Sequence, residues 1–337
     1  MENSSKSKVQ FSRRKFLGLT AAAAAFSIVP ANIGFAGESM LQKRKKPDSG
    51  FGGVKVGAIT YSWRSMPSSA EDILNYCIQT GISSIELMGD VAEKYAGLPQ
   101  SPPRPAAGTV LSESDLAAFE KASKEAKEAQ LKWRVAAPMT KFIELRKMYN
   151  KAGVTIHIAK FSPENWTDKE IDYSFMAAKA LGAKGVCNEI GENACRRMGP
   201  IAQKHGMYAI FHQHLQPGEP GWTFDKFLAY SPANMLNFDA GHYFGATGLH
   251  PNGIIERLHD RIVSVHLKDK TGPKANPANT NMPWGKGETP IAEILLLIKK
   301  NKWPINVDIE LEYPVPSDSD AVAEVKKCVD YCKAILS

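Results

Sequence analysis

Five short stretches of this chain each end in side chains that could bind a metal ion or carry a proton. Asn188-Glu189 closes the first, and His212-Gln213-His214 closes the second. Asp239 and His242 follow Leu236-Asn237-Phe238. His266, Lys268 and Asp269 end the run begun by Ile262-Val263-Ser264-Val265, and Glu310 and Glu312 follow Val307-Asp308-Ile309. A lone His is commonly a satisfied structural residue, and a lone Asp at a strand end commonly caps the next helix. Five such ends in succession form a pattern. Together they could supply the ligands of a metal centre. Mixed imidazole and carboxylate donors suit Mn, Co, Zn or Fe better than Ca. To bind, the imidazoles must be neutral and the acids ionised.

Such a centre needs a frame that brings strand ends to one place. From Val54 onward, short apolar or β-branched runs alternate with amphipathic ones. Strands are expected over 54–62, 83–87, 185–189, 208–212, 235–239, 262–267 and 305–311. Helices are expected over 70–80, 116–130, 168–181, 194–205, 224–230, 253–259, 291–301 and 319–336. Segments 132–137 and 154–159 compete for the third strand, with 141–150 as its helix. Gly81, Gly182 and Gly206 each stand where a helix stops before a strand. Strict βα alternation implies a parallel sheet. About eight units make this an α/β chain, a (β/α)₈ TIM barrel in one domain over 54–337, whose strand ends converge on one catalytic face. No GxGxxG turn follows the first strand, which argues against a dinucleotide-binding open sheet. The Pro-rich stretch 96–109 would lie on the same face as the site.

The first residues read as an address. Ser12-Arg13-Arg14-Lys15-Phe16-Leu17 precedes an apolar run to Val29, and Gly34-Phe35-Ala36 offers small residues for cleavage. Residues 1–36 therefore resemble a twin-arginine signal peptide, which implies export to the periplasm. The apolar run is too short for a spanning helix. Residues 37–53 read as a flexible tail. Charge supports this division. The formal net charge is +7, but nine of the 42 basic and two of the 35 acidic residues fall in 1–46. The remaining 33 of each leave the body neutral, without the basic stripe a nucleic-acid partner requires. Five cysteines without a CxxC pair exclude a disulfide framework.

At the residue level a family resemblance is visible. Phe238-Asp239-Ala240-Gly241-His242, Val265-His266-Leu267-Lys268-Asp269 and Ile309-Glu310-Leu311-Glu312 resemble successive motifs of the sugar phosphate isomerase/epimerase family. Gly285-Lys286-Gly287-Glu288 resembles its GxGE turn. That family lies within the xylose-isomerase-like TIM-barrel superfamily, with endonuclease IV and inosose dehydratase. The likeness runs from about Val54 to the end and is most specific from Ala209. It implies one divalent ion (Mn, Co, Zn or Mg) on Asp239, His266 and Glu310, with His242 as a substrate contact and Asp269 as a polar residue behind His266. Ketose epimerases of the superfamily end strand five in Glu. Here that position is His212, and Phe211-His212-Gln213-His214 resembles the His-x-His branch, which has exported bacterial members. Glu189 would restore a carboxylate, so His212 and Glu189 compete for a fourth place on the ion, with His214 behind them.

The chemistry so implied is proton abstraction beside a carbonyl of a small carbohydrate. The metal would act as Lewis acid, and Lys268 would stabilise the developing negative charge. The base is His212, His214, His242 or Glu189. Return of the proton gives isomerisation or epimerisation. Loss of a β-substituent gives dehydration, or lysis of a 3-keto-glycoside, and the absence of a strand-five Glu leans that way. Glu86, ending strand two, reads as a substrate contact, a second layer or an ordinary salt bridge, and Glu312 as substrate-facing. Trp63, Trp222 and Trp284 are expected in strand ends or loops, where each reads equally as a ring that stacks on a sugar or as core or rim packing. An endonuclease IV-like nuclease would need histidines on earlier strands, and only His157 is available. Oligomeric state stays open.

Overall fold

A computed structural model describes residues 46–106 and 108–337; the expected signal segment and most of the expected tail lie outside the described residues. Eight parallel strands close on themselves: β1 (Val54–Ile59), β2 (Ser84–Met88), β3 (Thr155–Lys160), β4 (Gly185–Glu189), β5 (Tyr208–His212), β6 (Asn234–Asp239), β7 (Ile262–Leu267) and β8 (Asn306–Ile309). Each pairs with the next, and β8 pairs back onto β1. This is a TIM barrel.

Helices surround it: α1 (Ala70–Thr80), α2 (Gly89–Ala96), α3 (Glu113–Ala136), α4 (Thr140–Ala152), α5 (Asp168–Leu181), α6 (Glu192–His205), α7 (Phe224–Leu228), α8 (Ala240–Thr247), α9 (Asn252–Leu258), α10 (Ile291–Asn301) and α11 (Ala321–Leu336). Local chemistry sets their ends. Ser69 with Asp72 and Thr167 with Glu170 form capping boxes that satisfy first-turn amides of α1 and α5. Gly182 ends α5 in the left-handed region at φ 81°, open to glycine at no steric cost.

The structure decides the open third strand and adjusts other local expectations. Residues 132–136 are the last part of α3 and Ala137 is its C-cap, because the Ala-, Glu- and Lys-rich helix continues to Ala136. The third strand is Thr155–Lys160, a nearly unbroken buried run. Strand one stops at Ile59, and Thr60–Trp63 turns into a 3-10 helix that drives Trp63 into the core. A short helix, α2, follows β2 at once, ahead of the Pro-rich stretch. The end of the expected tail is also ordered. Gly50–Phe51 pairs antiparallel with β1, and the buried Ser49 exchanges hydrogen bonds with Ser83.

Most apolar side chains fill the layer between strands and helices. Strand alternation sends the other set inward. There, Ile158, Cys187, Ile210, Met235 and Val263 form a small apolar cluster. The opposite part of the interior is polar: His157 Nδ1 lies 2.9 Å from Ser84 Oγ, and its Nε2 lies 2.8 Å from Asp308 Oδ2. Long α3 has no buried residue and rests outside this layer, clamped where Arg134 reaches Glu93 and Glu170. All five cysteines are free and buried, consistent with a role as small apolar residues.

Gly57 faces the polar interior, and a Cβ there would stand 2.3 Å from Asp308 Oδ1 and 2.7 Å from Ser84 O. Gly57→Ala is expected to lower stability by roughly 1–3 kcal/mol through overpacking. Urea unfolding of the variant checks this, and an unchanged midpoint would contradict the packing described.

Candidate metal centre

At the C-terminal ends of β5, β6, β7 and β8, His212, Asp239, His266 and Glu310 converge. One ligand atom from each lies within 4.8 Å of the others, and all four residues are buried. His212 Nε2 is 3.1 Å from Asp239 Oδ2, and His266 Nδ1 is 2.8 Å from Glu310 Oε2. Backbone chemistry fixes the Asp239 end. Its Oδ1 accepts the His242 amide as the cap of α8, so Oδ2 is the oxygen left for the site. Gln213, fully buried, accepts from the Asp239 amide and donates to its carbonyl, tying the end of β5 to that of β6.

A second layer stands behind both imidazoles. Glu86 Oε2 lies 2.7 Å from His266 Nε2 and also accepts from Asn237 Nδ2. Glu189 Oε2 lies 3.1 Å from His212 Nδ1 and 2.9 Å from His214 Nε2, while its Oε1 accepts from Lys160 Nζ at 2.6 Å. Carboxylates so placed fix the ring orientation and raise the donor strength of a ligating His. The geometry thus groups His212 with Asp239, His266 and Glu310, and stands Glu189 behind it. It also puts Glu86, rather than Asp269, behind His266. Sequence reasoning missed Lys160, because it ends the strand whose position was ambiguous, and missed Gln213, because a Gln between two His reads as a spacer.

On the other side of the carboxylates sits Lys268, 1% exposed. Its Nζ lies 2.9 Å from Asp239 Oδ2, 2.8 Å from Glu310 Oε2, 2.8 Å from Glu312 Oε2 and 3.0 Å from His242 Nε2. Burial opposes the Lys268 charge, but Asp239, Glu310 and Glu312 outweigh it and raise its pKa. Burial likewise opposes ionised Glu310, yet Lys268 and His266 hold it well below the usual carboxylate range. For His242 burial dominates, despite Asp239, and pushes the imidazole down to about 3, so it is neutral.

The remaining expectations fall elsewhere. Asp269 accepts backbone amides of Gly285, Gly287 and Thr289, so it pins the GxGE turn. A Cβ on Gly287 would stand 2.3 Å from Asp269 Oδ1, which accounts for that glycine. His214, half-exposed, sits on the rim, its ring centroid 4.9 Å from that of His242. His157 belongs to the barrel interior with Ser84 and Asp308. Trp63 is fully buried against Tyr76, Trp222 packs on Phe224 and Phe227, and Trp284 on Tyr331, so each is a packing residue.

The residues fit a divalent ion: two imidazole nitrogens and two buried carboxylate oxygens converge, each imidazole backed by a further carboxylate. Fold and site together define a βα barrel with a metal-capable mouth. Residues 185–335 match the family described as xylose isomerase-like TIM barrel. The fold is similar to a sugar phosphate isomerase/epimerase from Parabacteroides distasonis, at 16% identity, covering 85% of this chain and 96% of that one, with TM-score 0.55. It is also similar to the probable 3-DHS dehydratase of Bacillus anthracis, at 14% identity, covering 82% and 98%, with TM-score 0.54. A 3-keto-D-glucoside 4-epimerase from E. coli matches at 10% identity, covering 83% and 99%, with TM-score 0.53. An inosose dehydratase of Clostridium botulinum is 32% identical over 80 residues, which spans 23% of this chain and only 26% of that enzyme. Among the described residues, no helix is long and apolar enough to cross a membrane.

Glu86→Gln keeps the shape behind His266 but removes the charge. It is expected to weaken divalent-metal binding by roughly 10–100-fold, measured by calorimetric titration; wild-type affinity in this variant would refute the role given to Glu86.

Proposed function

We propose that this chain is a divalent-metal-dependent enzyme that removes a proton from the carbon beside a carbonyl of a carbohydrate. The observation that carries the reading is the convergence of His212, Asp239, His266 and Glu310 at the mouth of the barrel. When bound, a divalent ion supplies Lewis-acid stabilisation of negative charge at the carbonyl. His214 is the proposed general base. It lies on the rim, Glu189 holds its Nε2, and its Nδ1 has no partner among the described residues. His212 is unsuited to that role, since both its nitrogens face carboxylates, and Glu189 already serves Lys160 and two imidazoles. Lys268 brings a positive charge and a proton to the substrate oxygens, oriented by Glu312 and His242. The twin-arginine-like segment fits an enzyme that meets its substrate in the periplasm.

Returning the proton to another carbon or face yields an isomer or epimer. A second reading, loss of a β-substituent from a keto-sugar or 3-keto-glycoside, draws support from β5. An imidazole stands there in the group of four, so the carboxylate pair of a symmetric two-base exchange is missing. The local likeness to an inosose dehydratase points the same way.

The test follows 3-keto-glucosides and free ketoses with metal-loaded protein in D₂O, by NMR and mass spectrometry. Deuterium uptake without bond cleavage supports isomerisation or epimerisation, and release of the aglycone or of water supports the lyase. His266→Ala and Glu310→Ala are expected to abolish activity. His214→Asn is expected to lower kcat roughly 100-fold or more while keeping its metal. Full activity in the first two variants would overturn the site.

A further inference from the structure

We propose that the Lys268 ammonium is the resident counter-ion of the metal centre and competes with the metal for it. The inference rests on reading the site as a metal centre, and it concerns what that site holds before the ion arrives.

The two carboxylate oxygens nearest the imidazoles are also the two nearest Lys268. Asp239 Oδ2 lies 3.1 Å from His212 Nε2 and 2.9 Å from Lys268 Nζ. Glu310 Oε2 lies 2.8 Å from His266 Nδ1 and 2.8 Å from the same Nζ. Any cation held by His212, Asp239, His266 and Glu310 therefore shares its oxygens with an ammonium group. Two cations on one pair of oxygens repel, and in a buried site water screens that repulsion weakly.

The same geometry provides the way out. Glu312 Oε2 at 2.8 Å and His242 Nε2 at 3.0 Å lie outside the group of four and also hold the ammonium. Asn281 Nδ2 reaches Glu312 Oε2 at 3.4 Å. The stem cannot swing as a whole, because it lies against the backbone of α8: a Cβ on Gly241 would stand 2.3 Å from Lys268 Cγ. Motion is thus confined to the ammonium end, which shifts from Asp239 and Glu310 toward Glu312 and His242 as the metal enters. Without metal, the ammonium neutralises part of a cluster of three carboxylates, two of them buried, an arrangement that is costly when uncompensated.

The experiment is calorimetric titration of metal-free protein with Mn²⁺, together with melting curves. Lys268→Met is expected to bind Mn²⁺ roughly tenfold or more tightly than wild type. Its metal-free melting temperature should fall, and the rise on adding metal should grow. Lys300→Met, exposed on α10 and in no ion pair among the described residues, should bind as wild type does. Equal or weaker binding by Lys268→Met overturns the proposal. A crystal structure of metal-loaded wild type decides independently, should metal-free Lys268→Met fail to fold. Nζ is expected to have left Asp239 and remained on Glu312, and an ammonium still bonded to both Asp239 and Glu310 beside a bound ion refutes the idea. Wild type that binds no divalent ion refutes the metal-centre reading itself. Wild type that binds while Lys268→Met matches it refutes only the competition.

Discussion

Asp239 and Glu310 are carboxylates buried side by side at the mouth of a barrel, and their charge must be balanced there. Isolated buried ions are unstable by several kcal/mol. The structure answers with positive or proton-bearing groups on both sides: His212 and His266 beneath, Lys268 above. The answer propagates outward. Burial alone would favour neutral imidazoles, but Glu86 and Glu310 raise the pKa of His266, and Asp239 and Glu189 raise that of His212. Each imidazole therefore sits between two carboxylates with a demand for positive charge, met by a proton or by a metal ion.

The rest of the barrel serves that arrangement by fixing backbone. Consecutive parallel strands place inward side chains two residues apart in stacked layers. Asn306 and Asp308 on β8, with Glu310 just beyond its end, step from the barrel interior to the mouth, as do Asn237 and Asp239 on β6. Close approaches need residues without side chains. Gly241 lets the Lys268 stem lie on α8, and Gly287 lets the turn before α10 close over Asp269. The glycines of those two motifs are thus packing requirements of the site.

Much of this was legible in the residues. The alternation of apolar runs and amphipathic segments was clear enough to give the barrel. Strand-end His, Asp and Glu stood out because each followed an apolar run. The third strand was ambiguous because residues 132–137 look β-prone in isolation, yet all but Ala137 belong to a helix whose propensity accumulates over the preceding twenty residues. What stayed hidden was direction. Nothing in the sequence tells which nitrogen of His212 or His266 faces the group of four. Roles for Glu86, Glu189 and Lys160 follow only once the ring orientations are known. The family resemblance places Asp269 behind His266, but alternation along the strand end sends it to the turn instead.

The central claim is that two imidazoles and two carboxylates of this barrel bind one divalent ion. X-ray absorption at the metal edge of protein loaded with Mn²⁺ or Zn²⁺ and freed of excess ion tests it most directly. The result expected is an oxygen and nitrogen shell with the scattering of two imidazole rings, both lost from His212→Ala, His266→Ala double-variant protein. A protein that retains no ion, or a shell without imidazole, would contradict it.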